Sequence, residues 1–393
     1  MSIDGKTAVV GVGSTDYFRR GQSLPRTPLQ MASEAILAAC ADAGLSPKDI
    51  DGFAYYSGGF DTALIAQMLG IPAINFTASL TGGGSGSAGS VGLAAAAIIG
   101  EQAEVVVSLM TLQQTPGSRL GAAMAAKSGP YARPVTPEKD FSAPYGVFAP
   151  GHAFSMLAQR HMHLYGTKRE HFAEVCMAER DYALTRPKAI RRTPLTLDEY
   201  FDARMISDPL CLFDYTMESD GAVAVITTTA ERARDLRQPP AYVMASAAGG
   251  DGRWAGGTGV TGMVEELYPS AGAAHSAQRL YAQAGITPDD VDVALLYDHF
   301  SPMVLMQLED YGFCGRGESG PFVAEGNIRP GGKIPVNTHG GNLSEAYIIG
   351  MTHVVEAVEQ VRGSAVNQVP GARVALATGG PSMIPTSSIL LRK

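Results

Sequence analysis

Several functional classes are disfavoured by what the sequence has little of. Positive charge is scarce, because 30 lysines and arginines stand against 38 aspartates and glutamates without forming a basic block. This balance argues against nucleic acid and anionic membranes as main partners. No apolar run reaches the roughly 18 residues that cross a bilayer. The four cysteines lack paired spacing, which favours reduced thiols over a disulfide framework. The N-terminus shows no export pattern, so we expect a cytoplasmic protein.

The composition is that of a chain with a large buried core. Its 393 residues are 45% hydrophobic and 17% charged, which is ordinary for a compact globular protein. A chain of this length is expected to form two domains or one duplicated domain. An internal repeat would favour the second arrangement.

Such a repeat is present. Ala43-Gly-Leu-Ser-Pro-Lys-Asp-Ile-Asp51 matches Ala284-Gly-Ile-Thr-Pro-Asp-Asp-Val-Asp292, and each is followed by a short apolar stretch. The glycine of each copy is suited to ending a helix in the left-handed conformation. The Ser/Thr-Pro pair and the acidic residues then predict a turn that leads into a strand. We therefore expect the same helix, turn and strand in both halves of the chain.

A looser repeat follows each copy of the first. A glycine-rich turn, Gly82–Gly89, precedes an alanine-rich helix to about Ile99 and an apolar strand, and His339-Gly-Gly341 precedes a helix and strand of the same order. The two patterns predict similar layered α/β halves, 1–240 and 241–393. The intervening region, about 115–208, is interpreted as an insertion with helices near Phe154–Tyr165 and Lys168–Thr185.

Common ligand motifs fit poorly. The Gly11-Val-Gly13 turn lacks the third glycine of a dinucleotide fingerprint, and Gly82–Gly89 lacks the Gly-Lys-Ser/Thr of a phosphate loop. His161, His163 and His171 have no carboxylate that completes a metal-ligand set, so packed or solvated histidines are favoured. The sequence therefore indicates neither a nucleotide cofactor nor a metal in this chain.

Taken together, three segments resemble the thiolase superfamily along essentially the whole chain. They are Ala8-Val-Val-Gly-Val-Gly13, Asp220-Gly-Ala-Val223 and Ala377-Thr-Gly-Gly380. Within that superfamily the sequence is most similar to the lipid-transfer-protein branch related to sterol-carrier-protein thiolases. The resemblance implies an α/β protein with the thiolase fold, a duplicated five-layered αβαβα arrangement, which agrees with the internal repeat.

The four loops that build a thiolase active site are altered here. The turn that carries the nucleophilic cysteine matches Gly83-Gly-Ser-Gly86, so the cysteine position is Gly83. The oxyanion loop reads Tyr297-Asp298-His299-Phe300, and the loop of the basic histidine ends in Glu345-Ala-Tyr347. The acid/base cysteine is replaced by Ala377. These substitutions exclude thiolase chemistry through a covalent acyl-enzyme. Ser85 is not expected to replace the nucleophile, because no base stands at position 347.

Two catalytic positions have instead become tyrosine, Tyr297 and Tyr347, on loops that converge in this fold. A tyrosine hydroxyl has a pKa near 10, and ionising it at pH 7 costs about 4 kcal/mol. Such a pair suits proton transfer in a transition state, where one group takes a hydroxyl proton and the other protonates an enolate. The matching reaction is retro-aldol cleavage of a β-hydroxyacyl-CoA.

The pattern is similar to the steroid side-chain-cleaving aldolases of this branch. That resemblance implies a 17-hydroxy steroid CoA thioester as substrate, with a 17-ketosteroid and propionyl-CoA as products. It implies Tyr297 and Tyr347 as catalytic residues, and Asp298, His299 and His339 as candidate supporting residues. It also implies a small partner with an OB-fold and a zinc ribbon, an α2β2 assembly on a homodimer core, and no cofactor in this chain. CoA belongs to the substrate and the zinc to the partner.

Two other functions stay open from the residues alone. The first is a non-catalytic lipid or acyl-CoA carrier that kept the pocket and lost the chemistry. The tyrosines argue against it, because decay more readily leaves small or unrelated residues at both positions. The second is a condensing acyltransferase, which the missing nucleophile disfavours.

Overall fold

A computed structural model of the chain describes residues 2–56, 61–80, 83–114, 143–147, 149–252, 268–382 and 385–393. The start of the glycine-rich turn and the first part of the predicted insertion lie outside these residues. The described strands are β1 (Thr7–Ser14), β2 (Phe18–Arg19), β3 (Gly52–Tyr56), β4 (Phe76–Leu80), β5 (Val105–Leu112), β6 (Met205–Ser207), β7 (Leu210–Cys211), β8 (Ser219–Thr229), β9 (Ala241–Gly249), β10 (Val293–Leu295), β11 (Val374–Gly379) and β12 (Thr386–Arg392).

The described α-helices alternate with the strands in much of the chain. They are α1 (Pro28–Ala43), α2 (Thr62–Leu69), α3 (Gly86–Ile99), α4 (Pro150–Tyr165), α5 (Arg169–Ala183), α6 (Leu197–Asp202), α7 (Ala230–Ala233), α8 (Ala274–Ala284), α9 (Ser301–Asp310), α10 (Ser319–Ala324) and α11 (Met351–Arg362). A π-helical turn, Gly341–Glu345, stands before α11. In the described part of the chain, no helix is both long enough and apolar enough to cross a membrane.

The main sheet repeats one topology twice. Its first half runs β4-β3-β5-β8-β1 and its second half β10-β11-β12-β9, and the halves meet where β1 pairs with β9. In the first half β3 is parallel to β4 and β5, while β8 is antiparallel to β5 and β1. In the second half β10 is parallel to β11, and β12 is antiparallel to β11 and β9. A parallel bridge from Ala294 to Val336 takes the place that β4 has in the first half. The predicted duplication is confirmed, and the division at residue 240 stays a prediction.

The same local interactions build both copies of the repeat. Helix α1 ends at Gly44 with φ 75°, and α8 ends at Gly285 with φ 71°, as the sequence predicts. After each turn an aspartate ties the chain to a neighbouring strand. The carboxylate of Asp51 accepts from the backbone N–H of Val105 at 2.8 Å, and that of Asp292 accepts from the N–H of Val374 at 2.9 Å. Each aspartate thereby aligns two adjacent strands of its half.

Two helices lie between the halves of the sheet. Helix α3 packs against β3, β5 and β8 on one side and against β9, β11 and β12 on the other, and α11 likewise contacts strands of both halves. Helix α1 packs against β1, β5 and β8, whereas α8 packs against β9 and β12. The small residues of α3 are almost all buried, because glycine, alanine and serine let it fit between two sheets. The order of layers is therefore αβαβα.

The described part of the insertion carries α4 and α5, close to the predicted helices. Helix α5 packs against α9, α10 and the π-helical turn, so the insertion reaches the loop that carries Tyr347. His161 on α4 hydrogen-bonds with Thr167 at 2.7 Å and Glu309 at 3.1 Å, so it is a packed histidine. Among the described residues no cluster of His, Cys, Asp or Glu is arranged to hold a metal ion.

Candidate active site

Tyr297 is fixed by its backbone at the end of β10. Its N–H donates to Thr378 Oγ1 at 2.9 Å, and its carbonyl accepts from Gln307 Nε2 at 2.9 Å. Thr378 Oγ1 donates in turn to Gln307 Oε1 at 2.6 Å. The side chain is 2% exposed, and this closed set of hydrogen bonds leaves the ring little freedom to move.

The ring of Tyr297 lies in a slot between two glycines. A Cβ on Gly84 would overlap the Cζ and Oη atoms of the tyrosine, and a Cβ on Gly350 would lie 2.5 Å from its Cδ2 atom. Gly350 also has φ 73°, which favours glycine. The slot therefore requires hydrogen at both positions.

The turn predicted to have lost the nucleophile lies against Tyr297. Gly83 begins a 3-10 turn, Gly83–Ser85, that leads into α3. A Cβ on Gly380 (φ 63°), in the Ala377-Thr-Gly-Gly loop, would lie 2.5 Å from the backbone nitrogen of Ser85. Ala377 itself is fully buried within β11. The first and last of the four loops therefore meet, and the Tyr297 ring covers the turn at Gly84.

Tyr347 meets Tyr297 through its hydroxyl. The two Oη atoms are 3.1 Å apart, and the rings cross at 79° with centroids 6.5 Å apart. Tyr347 follows the π-helical turn, and its backbone N–H donates to Ser219 Oγ at 3.2 Å. The Tyr347 side chain is half-buried, whereas that of Tyr297 is buried. The two sequence-predicted tyrosines therefore form one hydrogen-bonded pair, with Tyr347 on the accessible side.

Both hydroxyls are held in the neutral form. Burial raises the pKa of Tyr297 well above its ordinary value, and so does Tyr347, because two neighbouring phenolates would repel each other. Burial also raises the pKa of Tyr347, although the hydrogen bond from Tyr297 partly offsets it. At neutral pH the pair therefore carries two protons and no phenolate.

Asp298 joins the two tyrosine loops. Its carboxylate accepts from the backbone N–H groups of Asn342 at 3.0 Å and Leu343 at 2.9 Å, both in the π-helical turn. His353 Nε2 lies 2.9 Å from the same carboxylate. Burial opposes ionisation, but the hydrogen bonds that the carboxylate accepts, first that of His353, outweigh it and lower the pKa of Asp298. The residue after Tyr297 thus holds the loop before Tyr347.

The two predicted histidines have different surroundings. The ring of His299 lies 5.3 Å from that of Tyr297, and burial lowers its pKa to about 3, so it is neutral at physiological pH. His339 is fully buried and packs against His353, with ring centroids 4.6 Å apart. In the described part of the chain no hydrogen bond joins His339 to either tyrosine. The supporting role of His339 therefore stays a prediction.

Sequence reasoning missed the residues that hold the pair. His353 stacks beneath Tyr297 at 26° with centroids 6.1 Å apart, and Thr378 and Gln307 anchor the tyrosine backbone. His353 and Gln307 lie inside helices α11 and α9, where single polar residues carry no recognisable motif. Thr378 could have been found from the sequence, because it follows Ala377 in the Ala377-Thr-Gly-Gly380 segment that resembles the thiolase superfamily.

Comparison with known proteins identifies the family. Residues 258–392 match the family described as "Thiolase C-terminal domain-like". The chain is 39% identical over 393 residues to 17-hydroxy-3-oxo-4-pregnene-20-carboxyl-CoA lyase of Mycobacterium tuberculosis, covering 99% of this chain and 100% of the relative. It is also 39% identical over 398 residues to a steroid side-chain-cleaving aldolase of Thermomonospora curvata, covering 99% and 98% of the two chains. The chain belongs to the steroid side-chain-cleaving aldolases of the thiolase superfamily.

A solved structure agrees with the family assignment. The structure of an "Ltp2-ChsH2(DUF35) aldolase" matches with a TM-score of 0.90 and 37% identity, covering 100% of this chain and 99% of that one. The predicted thiolase fold and aldolase class are confirmed. As an aldolase of this superfamily, the protein is an enzyme, and a carrier without chemistry is not supported.

Proposed function

We propose that this aldolase cleaves a β-hydroxyacyl-CoA in which the hydroxyl is on carbon 17 of a steroid and the acyl group is its three-carbon side chain. The products are a 17-ketosteroid and propionyl-CoA. The observation that carries the proposal is the pair of neutral tyrosine hydroxyls, 3.1 Å apart, at the former catalytic positions. The names of the relatives support this substrate class, since one is a 17-hydroxy-3-oxo-4-pregnene-20-carboxyl-CoA lyase.

In the proposed step the two tyrosines act as a proton relay. Tyr347 accepts the substrate's hydroxyl proton while the carbon–carbon bond breaks, and the carbon that bears the oxygen becomes the ketone. Tyr347 passes its own proton to Tyr297, and Tyr297 protonates the thioester enolate that received the electron pair of the broken bond. In the structure Tyr297 donates to Tyr347 at 3.1 Å; because a hydroxyl both donates and accepts, rotation of the two O–H groups reverses this hydrogen bond for the relay. The pair finishes with the same two protons, and no phenolate is needed at rest.

The accessibility of the two side chains supports this order. Tyr347 is half-buried and Tyr297 is 2% exposed, so Tyr347 is the more accessible of the two side chains. A desolvated donor next to a developing enolate also contributes more than one in water. Tyr347 is therefore assigned to the hydroxyl proton and Tyr297 to the enolate.

We further propose that the enzyme works as an α2β2 complex with a small OB-fold partner that carries a zinc ribbon. One similar solved structure is that of an Ltp2-ChsH2(DUF35) aldolase, whose name supports the presence of a partner. The homodimer core would form through β4, which among the described strands pairs only with β3. On α2, which precedes β4 in the chain, Leu64 and Met68 are 45% and 51% exposed. An unpaired strand edge favours association, and so do exposed apolar side chains. The cytoplasmic location expected from the sequence stays a prediction.

Product analysis tests the function directly. The chain, alone and with a co-expressed partner, is incubated with a 17-hydroxy steroid that bears the three-carbon CoA thioester. We expect the 17-ketosteroid and propionyl-CoA in equal amounts by mass spectrometry. Stoichiometric binding of intact thioester would support a carrier, and free CoA without ketosteroid would support acyl transfer or hydrolysis. Light scattering on the active sample tests the assembly, and a fully active zinc-free monomer would refute it.

The neutral relay predicts that kcat does not increase at alkaline pH. Both tyrosine pKa values are raised, so the hydroxyls stay protonated beyond the ordinary value near 10. Measurements from pH 8 to 9.5 avoid Glu345, whose pKa burial raises to about 7. We expect a flat or falling kcat over this range, after correction for spontaneous thioester hydrolysis. A tenfold increase per pH unit would show that a phenolate is the active form.

Cysteine chemistry is predicted to be irrelevant to turnover. Cys40, Cys176 and Cys211 are buried, and burial raises the pKa of Cys314 to about 12, so its thiol stays protonated. Changing Cys314 to Ser, or alkylating accessible thiols, should leave kcat within about twofold, because no thiolate attacks the substrate. Intact-mass spectrometry during turnover checks the same point. A stable acyl adduct on this chain would contradict a non-covalent mechanism.

A further inference from the structure

A second carboxyl group lies against Asp298 inside the protein. Glu179 on α5 is fully buried, and its Oε1 atom accepts from Asn337 Nδ2 at 2.7 Å. A Cβ on Gly341 would overlap both Glu179 Oε2 and Asp298 Oδ2, so the two oxygens face the same small space. Gly341 has φ 63° and begins the π-helical turn. The glycine therefore allows two carboxyl groups to meet at the base of the Tyr347 loop.

The surroundings decide which carboxyl group holds a proton. The Asp298 carboxylate accepts hydrogen bonds from two backbone N–H groups and lies against His353 Nε2. Glu179 accepts a side-chain hydrogen bond from Asn337. Two adjacent buried carboxylates cannot both be charged without strong repulsion. Burial, and then the negative charge of Asp298, raise the pKa of Glu179 well above its usual range. Asp298 is thus the anion, and the Oε2 atom of Glu179, which has no hydrogen-bond partner among the described residues, is placed to donate to it once protonated.

We propose that Glu179 is a positioning residue, a neutral carboxylic acid whose hydrogen bond to Asp298 holds the Tyr347 loop against the strand end of Tyr297. This inference rests on the proposed roles of the two tyrosines. Asp298 follows Tyr297 directly, and its carboxylate binds the N–H groups of Asn342 and Leu343. Asn337 Nδ2, which donates to Glu179, also donates to the carbonyl of Leu296 at 2.9 Å. Glu179 is therefore linked on both sides to the chain around Tyr297.

Loss of this donor should separate the tyrosine hydroxyls without removing either of them. The Asp298 carboxylate would keep Asn342, Leu343 and His353 but lose the Glu179 donor, and its reorientation towards the remaining donors would shift the backbone of the π-helical turn. The relay depends on a 3.1 Å contact, and a misplacement of about 1 Å in an active site can cost 10²-fold in rate. The insertion would thereby control the catalytic geometry from helix α5.

The test compares two substitutions of Glu179 in the complete enzyme with its partner. Glu179→Gln keeps the shape of the neutral acid, because its Nε2 can donate to Asp298 while its Oε1 accepts from Asn337. We expect kcat within about threefold of wild type for this variant. Glu179→Ala removes the donor, and kcat should fall by about 10- to 100-fold with KM changed little. Glu170→Ala, at an exposed position on the same helix, is the matched control and should match wild type.

The outcomes separate positioning from a merely structural role. If folded Glu179→Gln is as impaired as Glu179→Ala, the neutral acid is not what the site needs, and the proposal is overturned. Wild-type kcat in Glu179→Ala also overturns it. Glu179→Leu, which fills the space without a donor, replaces the alanine variant if that variant does not fold, and if neither folds, the kcat of Glu179→Gln decides. Tyr297→Phe and Tyr347→Phe are measured in parallel, because full activity in both would remove the proposed roles of the tyrosines whatever the Glu179 variants do.

Discussion

Replacing Tyr297 or Tyr347 with phenylalanine is expected to lower kcat by about 10²- to 10⁴-fold, the usual contribution of general acid–base catalysis. Each change removes one hydroxyl of a pair whose oxygens are 3.1 Å apart. Without either hydroxyl, the proton of the substrate has no path to the enolate. The ring stays, so the slot between Gly84 and Gly350 remains filled and the fold should persist.

Steady-state kinetics on the two variants and on the double variant test this expectation. The double loss should be smaller than the product of the single losses, because both hydroxyls serve one transition state. Tyr182→Phe is the control, since Tyr182 is buried and its hydroxyl makes one long hydrogen bond of 3.4 Å to the carbonyl of Ile328. Wild-type turnover in both folded variants would mean that the hydroxyls are only packed, and the carrier interpretation would then be preferable.

The sequence predicted the tyrosine pair because both residues stand at fixed points of local motifs. Tyr297 directly follows a short apolar stretch that belongs to the repeat, and Tyr347 follows a loop that begins with two glycines. Once the fold is known, such loops converge, so motif positions alone place the side chains close together. The repeat also predicted real contacts, because Asp51 and Asp292 end its two copies and each binds a neighbouring strand.

The rest of the site depends on contacts between distant parts of the chain. Glu179 reaches the site from the insertion, 158 residues before its partner Asn337, and nothing in the sequence of α5 distinguishes it from a surface glutamate. His339 is a candidate supporting residue, and in the sequence it stands just before the loop that ends at Tyr347. The chain turns sharply at Gly340, with φ 100°, and His339 packs against His353. Pairings of this kind follow from packing, which a single sequence does not encode locally.

The contact between Gly84 and Tyr297 also could not be predicted from the sequence. The motif pointed to Gly83 as the vacated nucleophile position, and the neighbouring Gly84 carried no signal of its own. In the structure Gly84 lies under the hydroxyl end of the Tyr297 ring. Gain of the tyrosine therefore requires a bare residue at position 84, one residue after the predicted nucleophile position Gly83.

Gly84→Ala is accordingly expected to lower kcat by at least about 10²-fold, since a displacement of about 1 Å can remove that much catalysis. The new methyl group would overlap Cζ and Oη of Tyr297, whose backbone is held by Thr378 and Gln307 and whose ring also packs against Gly350. Overpacking of this kind typically destabilises the fold by about 1–3 kcal/mol, so thermal unfolding is measured alongside kcat. Gly252→Ala is the control, because a Cβ there meets open space.

A double-variant cycle shows whether Gly84→Ala acts through the tyrosine. In the Tyr297→Phe background the hydroxyl is already gone, so adding Gly84→Ala should reduce the residual rate only slightly. If the alanine costs the same factor in both backgrounds, it disturbs some other part of the site, and the slot does not explain its effect. Strong non-additivity, with the folded fraction unchanged, would mean that the bare glycine is there to position the Tyr297 hydroxyl against Tyr347.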